Sequence, residues 1–136
     1  MTTVLVDTGP LVAALNAADD FHDWAREELG RIPAPLLTCE AVISETLHLV
    51  RRIKGGQAAV MGLLQDRLVL VPFRLADELA PLARLLKRYA DVPMSLADAC
   101  LVRMSEQHAG AVVLTLDSDF EVYRRHGRGV IPTLSP

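Results

Sequence analysis

Asp7, Glu45, Asp98 and Asp117 are acids set beside apolar runs, where together they could build one site. Asp7 closes the apolar run Val4-Leu5-Val6, and Asp117 follows the run Val112-Val113-Leu114-Thr115. Each also precedes a helical stretch, and Asp is among the best N-caps, so capping accounts for either one taken singly. Asp98 is the only charge in the stretch Ser95-Leu96-Ala97-Asp98-Ala99-Cys100-Leu101-Val102. Helical spacing puts it beside Leu101 and Val102, where an ionised and unpaired carboxylate is costly. It needs a cation, a set of donors or a raised pKa, although Ser95 and Asp98 also read as a capping box. Glu45 sits about 40° from Leu49 and about 60° from Val42 around its helix, at the shoulder of an apolar stripe. Only His48 is spaced to pair with it; otherwise Glu45 reads as a boundary residue with a solvated head.

Carboxylates gathered at one place suit a hard cation. Mg²⁺ and Mn²⁺ prefer oxygen ligands, and Mg²⁺ keeps several waters while it binds a substrate phosphate. Such an ion lowers the pKa of bound water and neutralises charge at phosphorus during an in-line displacement. It would also reconcile an anionic substrate with this chain, whose 14 Lys and Arg against 17 Asp and Glu leave a net charge of -3. That balance argues against a basic module that grips phosphates by charge alone.

The elements that must position these acids follow from the hydropathy pattern. Short apolar runs at Val4 to Val6, Leu36 to Thr38, Leu68 to Val71 and Val112 to Thr115 read as buried strands. Between them lie helical stretches: one opened by Pro10, one from Asp20 or Asp23 to Arg31, and Glu40 to Lys54 ended by Gly55-Gly56. Ala58 to Leu64, Ala76 to Tyr89 with Leu79, Leu82, Ala83 and Leu86 on one face, and Ser95 to His108 complete the set. A short helix from Asp117 to about Arg125 and a last strand at Val130-Ile131 are predicted for the tail. Strands alternating with helices argue for a parallel sheet covered on both faces, with its site at the carboxyl ends of the strands. The 136 residues fit one domain, and 51% hydrophobic content excludes wholesale disorder. Aromatics are only 4%, so few rings are available to stack on bases. Met1-Thr2-Thr3 lacks a basic leader region, and no apolar run reaches the roughly 18 residues of a membrane span. Cys39 and Cys100 form no disulfide framework or zinc pattern and suit a reducing, cytoplasmic setting.

At the acidic positions a resemblance becomes specific. Val6-Asp7-Thr8-Gly9, Ser44-Glu45-Thr46, Ser95-Leu96-Ala97-Asp98-Ala99 and Thr115-Leu116-Asp117-Ser118-Asp119-Phe120 resemble the ordered acidic motifs of the PIN-domain ribonucleases. Within that family the chain is most similar to the VapC-type toxins of prokaryotic toxin–antitoxin pairs. The acids are 38, 53 and 19 residues apart in order, so the resemblance spans nearly the whole chain. It implies an α/β fold, a three-layer α/β/α sandwich with a short parallel sheet, with residues 1–136 as a single PIN-like domain. It implies a Mg²⁺- or Mn²⁺-dependent endoribonuclease whose acids hold one or two ions, with metal-activated water attacking the phosphodiester to leave 5′-phosphate and 3′-hydroxyl ends. Asp7, Glu45, Asp98 and Asp117 fall on the catalytic and metal-holding positions, and Asp119 on an additional acid of many members. Asp117 and Asp119 compete for the fourth position; Asp117 directly follows the strand. Thr8 and Thr115 match polar positions beside the site, and Gly9 stands where a small hydroxyl residue is common. The implied partners are an RNA substrate, a cognate VapB-type antitoxin and a second copy of the chain.

Arg51, Arg52 and Lys54, at the end of the Glu45 helix, are candidate RNA contacts. So are the groups Arg84, Lys87, Arg88 and Arg124, Arg125, Arg128, although cations in a last helical turn also complement its dipole. Two rival readings are a catalytically inactive PIN-like binding module and a haloacid-dehalogenase-like phosphohydrolase. The latter requires a second Asp two residues after the first, where this chain has Gly9.

Overall fold

The computed structural model describes residues 2–136; Met1 lies outside them. In chain order the elements are β1 (Val4–Val6), α1 (Thr8–Leu15), α2 (His22–Arg31), β2 (Leu36–Leu37), α3 (Glu40–Leu49), α4 (Gly56–Gln65) and β3 (Val69–Leu70). They continue as α5 (Leu79–Arg88), α6 (Leu96–Gln107), β4 (Val112–Leu114), β5 (Arg124–Arg125), β6 (Gly129–Val130) and β7 (Thr133–Leu134). Val4, Leu5 and Val6 are all buried although successive strand residues point to opposite faces, so helices cover both faces of the sheet. The expected three-layer α/β/α arrangement is therefore met. Among the described residues no helix is long and apolar enough to cross a membrane.

Five strands pair in the order β3-β2-β1-β4-β7, all parallel. The chain leaves β1 toward β2 and β3, then returns through α6 to place β4 on the other side of β1. That reversal opens a crevice beyond the carboxyl ends of β1 and β4, the usual site position in such sheets. Val6 lies opposite Leu114, so the residues after both strands emerge side by side. The Asp7 N–H, donating to the Leu114 carbonyl at 3.0 Å, extends the pairing one residue into the crevice.

Four predicted elements are corrected. The helix from Glu40 ends at Leu49 rather than Lys54, because the chain folds back on itself at Gly56. A Cβ on Gly56 would lie 2.6 Å from the Val50 carbonyl oxygen, so glycine permits that approach. Arg51 Nη1 and Gln57 Nε2 donate to the carbonyls of His48 and Leu47 in the last turn of α3. The helix predicted from Ala76 begins at Leu79, after a separate 3₁₀ turn at Leu75–Asp77. Pro81 is the reason, since inside a continuous helix its ring would clash with the Asp77 carbonyl. The inward face of α5 is Leu82, Leu85 and Tyr89, whereas Leu79 and Leu86 are exposed. In the tail, the helix predicted to Arg125 is only a 3₁₀ turn, Ser118–Glu121. An antiparallel β5–β6 hairpin follows, and Thr133–Leu134, not Val130-Ile131, supplies the last strand of the parallel sheet.

Candidate active site

Asp7 caps α1: its Oδ1 accepts from the Thr8 N–H at 2.8 Å. Its other oxygen accepts from the Thr115 hydroxyl at 2.7 Å, and that same hydroxyl accepts from the Asp117 N–H at 2.9 Å. Thr115 thus ties the ends of two neighbouring strands together and sets the spacing of two carboxylates. Asp117 in turn caps the following 3₁₀ turn by accepting from the Asp119 N–H at 2.9 Å.

Asp98 enters from the first turn of α6. Its N–H donates to Ser95 Oγ at 3.0 Å, so the cap reading of Ser95 holds. The Asp98 carboxylate points elsewhere: its Oδ2 accepts from the Tyr123 hydroxyl at 2.8 Å. Tyr123 is fully buried, its ring in edge contact with Phe120 and Tyr89 at 5.2 and 5.1 Å between centroids. This donor holds one Asp98 oxygen while the residue lines the crevice.

One oxygen each of Asp7, Asp98 and Asp117 lies within 4.8 Å of the other two. A cleft of about 560 Å³ opens over them, lined also by Thr8, Glu45 and Asp119. Glu45 is exposed and stands outside the close trio, as does Asp119. Gly9 lies on the same rim, where a Cβ would sit 3.2 Å from Leu116 Cβ, so the space a small hydroxyl residue would use is nearly filled. Arg51, Arg52 and Lys54 lie in the turn between α3 and α4, and none of them lines this cleft.

The electrostatics are one-sided. Among the described residues, no Lys, Arg or His forms an ion pair with any of the five acids. Burial pushes the Asp7 carboxyl up to about 6, against the lowering by Thr115 and Thr8, and the charges of Asp98 and Asp117 add to the rise. Burial also raises Asp98, only partly offset by the Tyr123 hydrogen bond. Burial and the adjacent Asp98 carboxylate keep the Tyr123 phenol protonated, fixing it as a donor. The Thr8 hydroxyl is buried with no hydrogen-bond partner on the same wall. Three clustered carboxylates without a counter-charge, beside an orphaned hydroxyl, are a donor set of hard oxygens that fits a divalent cation such as Mg²⁺ or Mn²⁺.

The family model of the PIN domain matches residues 4–125. The chain belongs to the PIN-domain family. Ribonuclease VapC26 of Mycobacterium tuberculosis is 27% identical over 133 residues, spanning 95% of this chain and 93% of that protein. The crystal structure of Mycobacterium tuberculosis VapC20, described as a sarcin-ricin loop cleaving toxin, matches with a TM-score of 0.77. It is 24% identical and covers 88% of this chain and 94% of that one, a likeness of fold. The resemblance read from the acidic motifs, to PIN domains and to the VapC-type chains among them, is borne out.

Within this PIN fold, Tyr123 is the residue that sequence reasoning missed. The signal was faint. Phe120 and Tyr123, two of the chain's few aromatics, follow Asp117 at helical spacing, which is enough to predict burial but not a hydroxyl aimed at Asp98.

Proposed function

We propose that this PIN-domain protein is a Mg²⁺- or Mn²⁺-dependent endoribonuclease, the toxin of a type II toxin–antitoxin pair, with residues 1–136 working as one domain. The observation that carries the reading is the trio of Asp7, Asp98 and Asp117 oxygens, within 4.8 Å of one another and without a protein cation. These three would hold the ion, with Glu45 and Asp119 reaching it from the rim of the cleft. Bound there, the ion would supply Lewis acidity toward the scissile phosphate and the attacking water.

The protein's own residues do the rest. Thr115 fixes the separation of Asp7 and Asp117, and Tyr123 fixes the orientation of Asp98. The Asp7 carboxyl, raised to about 6, is half protonated in weakly acidic solution without a cation and gives up that proton when one arrives. The Thr8 hydroxyl is buried without a protein partner beside these acids. Arg51, Arg52 and Lys54 would meet RNA phosphates beyond the cleft, in the turn after the Glu45 helix.

The proposed partners are RNA, a VapB-type antitoxin and a second copy of the chain, in the cytoplasm. The mean hydropathy of +0.26, with Leu79, Val122 and Val130 at least half exposed, supports apolar surface that association would cover. An antitoxin arginine reaching Asp7 or Asp98 would supply the positive charge the trio lacks. The test is cleavage of RNA with Mn²⁺ and with excess EDTA, beside a small phosphomonoester. Divalent-dependent cleavage of RNA alone is expected. Full activity in chelator, or hydrolysis of the monoester instead, would overturn the reading.

A further inference from the structure

A second cleft, of about 540 Å³, is lined by residues of α5, α6 and the β5–β6 hairpin, and its charge is opposite to that of the first. Arg84, Arg88, Arg103, Glu106, His126 and Gly127 line it. Arg103 is already neutralised, donating to Glu78 at 2.9 Å and to Glu106 at 3.1 Å. Arg84 and Arg88 form no ion pair with any described residue. Two uncompensated guanidinium groups therefore share one concave surface in a chain of net charge -3.

Arg88 is held in place. Its Nη2 donates to the Gly127 carbonyl at 2.6 Å, and its guanidinium lies 5.4 Å from the centroid of the Tyr89 ring. Gly127 has a φ of +79°, and a Cβ there would stand 2.8 Å from Arg88 Nη1. His126, just before it, carries a φ of 53°, an uncommon value for a residue with a side chain. The hairpin tip is bent so that an arginine fork can lie against bare backbone. A guanidinium held this way keeps most of its donors and has already lost its freedom, which suits bidentate contact with a phosphate.

The two clefts share α6. Asp98, in its first turn, faces the acids, and Glu106, in its last, lines the arginine cleft. Eight residues of helix span about 12 Å. At about 3.4 Å per nucleotide of stacked strand, that is three to four nucleotides. Arg84 and Arg88 are also one helical turn apart on α5, so they present two charges in a row. A linear polyanion able to reach both clefts fits this layout better than an acidic peptide confined to one. Tyr89 is buried and His126 is the one aromatic side chain among the lining residues, so contact here is chiefly by charge rather than by stacking.

We propose that this cleft binds the RNA backbone, with Arg84 and Arg88 holding phosphates a few nucleotides from the scissile bond. The proposal rests on the ribonuclease reading, and its test separates the two. Binding of a labelled single-stranded RNA to the full chain is followed by fluorescence anisotropy in EDTA, which suppresses cleavage, across a NaCl titration. Arg84→Gln combined with Arg88→Gln should weaken binding at low salt by about tenfold or more. It should also flatten log K against log salt by about 0.7 for each phosphate that is no longer neutralised. Gly127→Ala keeps every charge but displaces the Arg88 fork, and should produce a smaller loss. Arg31→Gln removes one charge at a residue that is paired with Glu28, lies near Val4 and Val112 at the amino ends of the central strands and lines neither of these clefts, and should leave the slope at the wild-type value. Arg84→Gln alone, at an exposed and unpaired residue, carries the test if the double variant melts early.

Wild-type cleavage of the same RNA with Mn²⁺ tests the ribonuclease reading on its own. If the wild type cleaves while the double variant keeps wild-type affinity and slope, the cleft proposal falls and the ribonuclease reading stands. Unchanged RNA binding with weakened binding of a polyglutamate peptide would likewise overturn it, assigning the cleft to an acidic protein segment.

Discussion

The two clefts of this molecule are nearly equal in volume and opposite in construction. The acidic one is built on strand ends and the first turn of a helix, and its three central carboxylates are held by Thr115, Tyr123 and capped backbone N–H groups. The arginine cleft is built on a helix face and a hairpin tip, and one of its three guanidinium groups is already paired with glutamates. Unbalanced charge is therefore concentrated and buried in the first, and spread and exposed in the second. Buried like charges wait for a compact counter-ion, whereas exposed ones trade loosely held salt ions for a polymer.

The largest effect that would break this contrast is at Asp98. Asp98→Asn keeps shape and an acceptor but removes one of the three charges. Cleavage should fall by more than about 100-fold, since the outer partners of a metal ligand alone are worth about 10- to 100-fold. Without metal the variant should melt no lower than wild type, because repulsion and desolvation are relieved. Its Mn²⁺-induced rise in Tm should largely vanish. An unchanged rise would remove Asp98 from the site and leave it a cap residue.

Next comes Tyr123→Phe, which leaves every charge in place and deletes the donor to Asp98 Oδ2. Stability should drop by about 1–3 kcal/mol, and Mn²⁺ affinity by about tenfold or more. Calorimetric titration with Mn²⁺ checks the second figure. Wild-type affinity would show that Asp98 is oriented by packing alone.

A third effect is a pH dependence of the metal-free fold. Asp7 has its native pKa raised from 3.8 to about 6, so the native state binds the proton more tightly than the unfolded chain does. Its contribution favours folding below pH 4 and is lost as pH rises through 6. Relative to Asp7→Asn, the wild type should lose about 3 kcal/mol of stability over that range, from 1.36 kcal/mol per unit. Urea unfolding of both proteins in EDTA measures the difference, and parallel curves would disprove it.

The smallest expected effect sharpens the contrast from the other side. Arg84→Gln with Arg88→Gln should leave the Mn²⁺-induced rise in Tm at its wild-type size, because neither residue lines the acidic cleft. A reduced rise would mean that the two clefts are energetically joined through α6.

What the residues made legible was the part dictated by burial. Uniformly apolar runs such as Val4 to Val6 predict a two-sided sheet, and a lone acid beside Leu101 and Val102 predicts a buried carboxylate; both hold. Asp7 and Asp117 came out as caps and as neighbours at once, so two readings that compete on paper coexist in space. Features that depend on close approach were hidden. Nothing in hydropathy shows that Gly56 lets the chain fold against the Val50 carbonyl, or that Pro81 delays α5. The two-residue strands β5, β6 and β7 are too short to show a period. Tyr123 went unseen with them, since its role lies in a hydrogen bond to a helix residue 25 positions earlier.

The Thr115–Asp7 hydrogen bond joins positions 108 apart in the chain. As the polypeptide emerges from the ribosome, Asp7 therefore waits, without its hydroxyl partner, until nearly the whole sequence has been made. Asp98 has a shorter wait but a later end to it, since Tyr123 follows Thr115 in the chain. A fragment that stops short of these residues lacks the hydroxyl partners of both Asp7 and Asp98. The centre closes only after β4 has slid in beside β1 and the segment behind it has been released.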